Sequence, residues 1–201
     1  HDGRAAGRGP GPLLDPRTRR WRGLGLRPAG HVALALSDVL EDPERVRRVL
    51  QDELFGVTVD NLREPRYGGL VIDLTFAPLP ELAGAGYEIE RGRVSVRPSW
   101  DIYAFPLGPD RTWHHRNPSP LGLRFGKLAG DLCLWYPNDP RSLRWDWDDG
   151  LEQYVTRVHR HLLFEEYYRR EGQWPVEDAP HAEPVTGPHP IRSAFMRKEE
   201  R

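Results

Sequence analysis

"GLVIDLTFAP", residues 69–78, sets Leu70, Ile72, Leu74 and Phe76 in alternation with Val71, Asp73 and Thr75. A period of two with one continuous apolar side is the signature of a strand that buries one face. The next stretches continue the theme. "YEIERGRVSVRP" (87–98) predicts two short strands turning at Arg91-Gly92. "WDIYAFPLGP" (100–109) predicts a further strand, ended by Pro106 and Gly108-Pro109. Three to four strands in sequence with tight links imply an antiparallel meander.

Helix signals flank the meander. Asp42-Pro43-Glu44 supplies an N-cap, a first-turn proline and an acid at the positive end of a helix dipole. Val46, Val49, Leu50 and Leu54 follow at helical spacing, and Gly56 supplies a stop. At the other end, Asp149-Gly150-Leu151-Glu152 resembles a capping box. Leu151, Val155, Val158 and Leu162 continue as an apolar stripe, Tyr154 and Tyr168 extend it, and Gly172 and Pro175 close a helix over about 149–171. Between the last strand and this helix, residues 110–148 are irregular. They contain "HHRNPSP" (114–120), "GDLCLWYPND" (130–139) and "RWDWDD" (144–149), the last expected as a solvated turn. A connection that long with so many aromatics and leucines is expected to be functional rather than disordered. The fold class is therefore α+β: an antiparallel meander between an N-terminal helix and a C-terminal helix, the latter following an irregular stretch.

Composition sets the bounds. The 201 residues suit one domain with tails. Residues 1–30 hold seven arginines against Asp2 and Asp15 among many Gly and Pro, and are expected to be a disordered arm. The domain is expected over 31–181, with a flexible tail over 182–201. Net charge is −1, which gives no global field for nucleic acid or an acidic membrane. "HVALAL" (31–36) is far shorter than the roughly 18 apolar residues of a membrane span. A single cysteine with no CxxC pair excludes an internal disulfide and a zinc ribbon, and a reducing, cytoplasmic setting is the default.

That cysteine, Cys133, lies between Leu132 and Leu134. By spacing alone it reads as a small packed hydrophobe. In an extended segment, however, it points away from both leucines, toward an open groove. Among the histidines, the adjacent His114 and His115 are expected to face opposite ways. His159 and His161 stand about 200° apart on a helix and cannot share a metal. A Cys–His hydrolase pairing Cys133 with His115 or His181 is compatible with these residues, since such partners need only meet in space. The tryptophans around the cysteine are expected to be packing residues.

Leu132-Cys133-Leu134, Tyr136-Pro137, the helix segment "HLLFEEYYRREGQWP" (161–175) with Glu165 to Tyr168 and Gly172-x-Trp174, and Pro180-His181 in "EDAPH" (177–181) together resemble the bacterial E2-like family, relatives of ubiquitin-conjugating enzymes found beside E1-like adenylating proteins. The motifs cover about 110–181, and only the element order extends the likeness to 31–109. The resemblance implies a ubiquitin-conjugating (UBC)-like fold. It also implies that Cys133 accepts an activated C-terminus from an E1-like partner as a thioester and passes it to an amine. The carried group would be a ubiquitin-like modifier or another protein, and such systems often serve antiphage defence, in some cases by modifying a nucleotidyltransferase. No cofactor is implied. The family motif makes His181 a candidate for assisting Cys133, and sequence proximity makes His115 another. The His-Pro-Asn element of eukaryotic members is not matched: Asn117 lies sixteen residues before Cys133, so no oxyanion role carries over to it. Asp131 is a candidate for raising the pKa of the thiol. Self-conjugation would fall on Lys127 or Lys198, the only lysines. An inactive E2-like scaffold that binds an E1-like partner is the alternative.

Overall fold

The computed structural model describes residues 33–108, 111–117, 130–135 and 139–176. The fold is α+β. Two short helices, α1 (Leu36–Glu41) and α2 (Pro43–Glu53), lead into strands β1 (Val57–Arg63) and β2 (Leu70–Phe76). A single turn of helix, α3 (Pro80–Gly84), precedes β3 (Glu90–Val96) and β4 (Ile102–Pro106). Two 3₁₀ turns, Arg141–Leu143 and Trp147–Asp149, then introduce α4 (Leu151–Glu171). The strands form one antiparallel sheet in the order β1-β2-β3-β4.

The helix signals hold with adjusted ends. The Asp42 side chain accepts from the Arg45 amide, and Pro43 opens α2 as expected. The helix α4 begins two residues later than the spacing predicts, with Gly150 at its N-cap. Asp149 instead closes the 3₁₀ turn, where its carboxylate accepts from the Asp146 amide. Glu152 makes no capping box either: it is buried and accepts from the amide of Leu34, 118 residues away. "RWDWDD" is no solvated turn. Trp145 is buried, and its indole N–H donates to the Gly150 carbonyl at 2.8 Å.

The hairpin expected at Arg91-Gly92 does not form. Strand β3 runs straight through both residues, with Gly92 opposite Leu74 on one side and Pro106 on the other. A Cβ on Gly92 would come within 3.1 Å of the Phe76 ring and 3.7 Å of a Leu162 methyl. This glycine therefore marks close approach of α4 and an aromatic ring to the strand, not a turn. The fourth strand is instead β1, whose alternation is interrupted by a register shift between Val59 and Asn61.

One face of the sheet carries the core. Val57 and Val59, then Leu70, Ile72, Leu74 and Phe76, then Val94 and Val96 pack with Val46 and Leu50 of α2 and with Leu151, Val155, Val158 and Leu162 of α4. On the opposite face Arg93 holds Asp73 with two hydrogen bonds of 2.5 and 3.0 Å. The β1–β2 link depends on Gly69, which has φ +87° and would place a Cβ 2.3 Å from the Val96 carbonyl oxygen. Gly69→Ala is expected to cost more than about 2 kcal/mol, from left-handed strain plus displacement of the end of β3. A urea midpoint unchanged from the wild type would refute this.

Candidate functional site

The site lies beyond the β4 edge of the sheet. The Leu132 amide donates to the Ala104 carbonyl of β4 at 2.7 Å, so 131–133 runs along that edge. On its other side Arg116 and Leu132 form an antiparallel bridge. The Asn117 amide donates to the Asp131 carbonyl at 2.9 Å, and the Cys133 amide to the His115 carbonyl at 3.3 Å. This register sets His115 directly opposite Cys133 and Asn117 opposite Asp131. Two sequence candidates, eighteen residues apart, are thereby brought together. The third, His181, lies outside the described residues, as do Lys127, Lys198, the arm at 1–30 and the tail at 182–201.

The side chain of His115 completes the pairing. Its Nδ1 stands 3.2 Å from the Cys133 carbonyl oxygen. A carbonyl only accepts, so Nδ1 carries the proton and Nε2 is the basic nitrogen of the neutral ring. Cys133 and His115 thus bind each other reciprocally, main chain to main chain and ring to main chain. The thiol stands 3.8 Å from the Trp135 carbonyl, toward which its S–H points. Cys133 is 6% exposed, which corrects the expectation of a thiol open to a groove. Alternation does turn it away from Leu132, but both sides of this edge segment are covered.

The backbone bends at 114–115, so the two imidazoles do not face opposite ways. His115 stacks on Trp174 (centroids 5.0 Å, planes 21° apart), and His114 lies 5.4 Å from the same indole while stacking on Tyr168 at 3.8 Å. His161 approaches Trp174 at 5.4 Å. Gly172, left-handed with φ +71°, caps α4 and returns the chain toward these rings.

Beneath the rings is Glu165 of α4, with no exposed surface. Its two oxygens accept from the amides of His114 and His115, both at 2.7 Å. The Nε2–H of His161 donates to the His115 carbonyl at 3.0 Å and lies 3.5 Å from Glu165. Burial pushes the Glu165 carboxyl upward. Hydrogen bonds from His161 and the two amides outweigh it, and the group stays below the usual carboxylate range. Asp131 shows the reverse balance: burial raises it despite the 3.0 Å hydrogen bond from the Asn117 side chain.

The last turns of α4 hold the approach to the site. Glu90 of β3 accepts from Arg111 at 2.6 Å and from Arg169. Glu166 accepts from Arg169 and Arg170, both at 2.7 Å. The Arg169 guanidinium lies over the Trp113 ring at 5.1 Å. Glu165 and Glu166 enter the sequence reading only as part of the family-like helix segment, with no role of their own, and Glu90 not at all. A signal was available, because the stripe Val155, Val158, Leu162 continues at Glu165 and Glu166, so helical spacing buries acids next to "HHR". His159, one face away, donates from Nε2 to the Ala77 carbonyl at 3.1 Å and takes no part in the site. Among the described residues no group of three or more His, Cys, Asp or Glu is arranged to hold a metal ion. No helix among them is long and apolar enough to cross a membrane.

Comparison with protein-family models and with curated proteins finds no match for this chain.

Proposed function

We propose that the chain is an E2-like conjugating protein: Cys133 carries the activated C-terminus of a ubiquitin-like modifier, or of another protein, as a thioester and transfers it to an amine. The reciprocal pairing of His115 with Cys133 is the observation that carries this reading. The element order supports it too: helices, a four-stranded meander, the cysteine stretch, then a long helix across the sheet is the order of the UBC-like fold implied by the motifs.

The chemistry follows from the groups present. Nε2 of His115 takes the thiol proton. The thiolate attacks the thioester carbonyl presented by an E1-like adenylating partner, a new C–S bond forms at Cys133 as the partner's C–S bond breaks, and the partner's thiolate leaves with the proton that His115 had taken. In the second step an amine attacks the same carbonyl carbon, the C–N bond forms as the C–S bond to Cys133 breaks, and the proton lost by the amine passes through His115 to the departing Cys133 thiolate. Transfer between thioesters is close to energetically neutral, so positioning rather than driving force governs the rate. Because Cys133 is buried, charging requires the thiol to be uncovered when the loaded partner docks. The resemblance places such a carrier among systems that often serve antiphage defence, and the lone cysteine suits a reducing, cytoplasmic setting.

The test is intact mass after incubation with ATP, an E1-like adenylating protein and its modifier, without reductant. The expected product is a mass increase that thiol reductant removes and that Cys133→Ala abolishes. No adduct in the presence of a visibly charged partner would overturn the carrier reading. The burial of Cys133 would then favour a second reading, a non-catalytic scaffold for the E1-like protein.

A further inference from the structure

We infer that Glu165 is the positioning residue of the His115–Cys133 pair, acting through the His115 backbone and through His161. The inference rests on the carrier reading for its consequence in conjugation, while its geometry concerns only this chain.

A carboxylate with no exposed surface is costly unless its charge is compensated. An apolar side chain at 165 would continue the Val155, Val158, Leu162 stripe, so packing alone gives no reason for an acid. What the acid does is specific. It spends its two oxygens on two successive amides, those of His114 and His115, 51 and 50 residues away in sequence. The His115 carbonyl, on the other side of the same residue, accepts from His161 and from the Cys133 amide. The ring of His115 is tied to the Cys133 carbonyl through Nδ1 and covered by Trp174. His115 is therefore held at its amide, its carbonyl and its ring, and two of those three restraints originate on α4. The result is one rotamer and one tautomer, with Nε2 as the only basic ring nitrogen. Neutral glutamine cannot replace this acid: one of its two polar atoms is an NH₂ group, which would face a backbone N–H donor.

Nitrogen-15 NMR of the histidine side chains tests the inference, together with the rate of Cys133 alkylation by iodoacetamide. In the wild type, His115 is expected as the Nδ1–H tautomer, and the amides of His114 and His115 as strongly downfield, slowly exchanging signals. Glu165→Gln is expected to mix the His115 tautomers and slow alkylation on the order of tenfold, the loss that follows from one charge-assisted hydrogen bond. In the His115→Gln background the same substitution is expected to change the rate no further, since Glu165 acts through His115. A wild-type Nε2–H tautomer overturns the inference without any variant, should Glu165→Gln fail to fold. Faster alkylation in Glu165→Gln, or effects that multiply in the double variant, would also overturn it, because Glu165 would then serve only to hold the segment closed. None of these readouts needs a modifier. A chain that never charges but shows the tautomer and the non-additive rates loses the carrier reading and keeps this one.

Discussion

Phe76→Ala is expected to lower stability by about 3–5 kcal/mol, the usual cost of removing a buried phenylalanine ring. For a domain of this size that is about a fifth or more of a typical total of about 5–15 kcal/mol. Phe76 ends β2 with 1% of its surface exposed. Its ring packs against the space left by Gly92 and lies 5.2 Å from the His159 ring. It thus fills a point of close approach between sheet and α4, and Gly92 has no side chain that can swing into the void. The check is urea denaturation, with a lowered midpoint at unchanged slope. A loss below about 1 kcal/mol would mean that α4 does not seat on this part of the sheet.

Stability of the wild type is expected to vary little between pH 4.5 and 6.5, because two buried groups oppose each other there. Burial pushes the Glu90 carboxyl up from 4.5 to about 7, against the pull of Arg169 and Arg111. The folded state then holds a proton that the unfolded state releases, so this contribution is complete below pH 4.5 and is lost as pH rises through 7. Burial lowers His159 from 6.5 to about 4, with the Ala77 carbonyl opposing. Here the unfolded state takes up the proton first, so the contribution is complete above pH 6.5 and is lost as pH falls through 4. Each shift corresponds to about 3 kcal/mol across its window. Glu165 and Glu166, held low, add acid sensitivity as pH falls through 4.5 and below, and Asp131, raised by burial, adds a smaller loss with rising pH in the same sense as Glu90. Removing either opposing group should expose the other. Glu90→Gln should lose about 3 kcal/mol as pH falls from 6.5 to 4, and His159→Gln should lose a similar amount as pH rises from 4.5 to 7. Urea midpoints measured at half-unit pH steps decide it. A flat profile in both variants would show that neither group has the shifted titration assigned to it.

Much of the secondary structure could be read directly. Period-two alternation in 69–78 and the Asp42-Pro43 start each reflect a local rule, and both elements appear where the rule puts them. Local rules failed where a residue answers to something distant. Gly92 is read as a turn residue, but its missing side chain makes room for Phe76 and Leu162. Glu152 is read as a cap, but its carboxylate serves the amide of Leu34. Asp149 is read as the start of the last helix, yet it closes a 3₁₀ turn before it, and Trp145 is read as part of a solvated turn, yet it is core.

The candidate site divides along the same line. The amino-acid sequence by itself determined which residues have the chemistry: one thiol, a few imidazoles, and a helix whose buried stripe runs into acids. Only the tertiary structure decided which of them meet. The ladder between 115–117 and 131–133 makes His115 the partner of Cys133, and Glu165 fixes that ladder from a third segment. Strand register and the reach of a buried carboxylate are settled by the summed packing of elements far apart in sequence, which no spacing within one segment encodes.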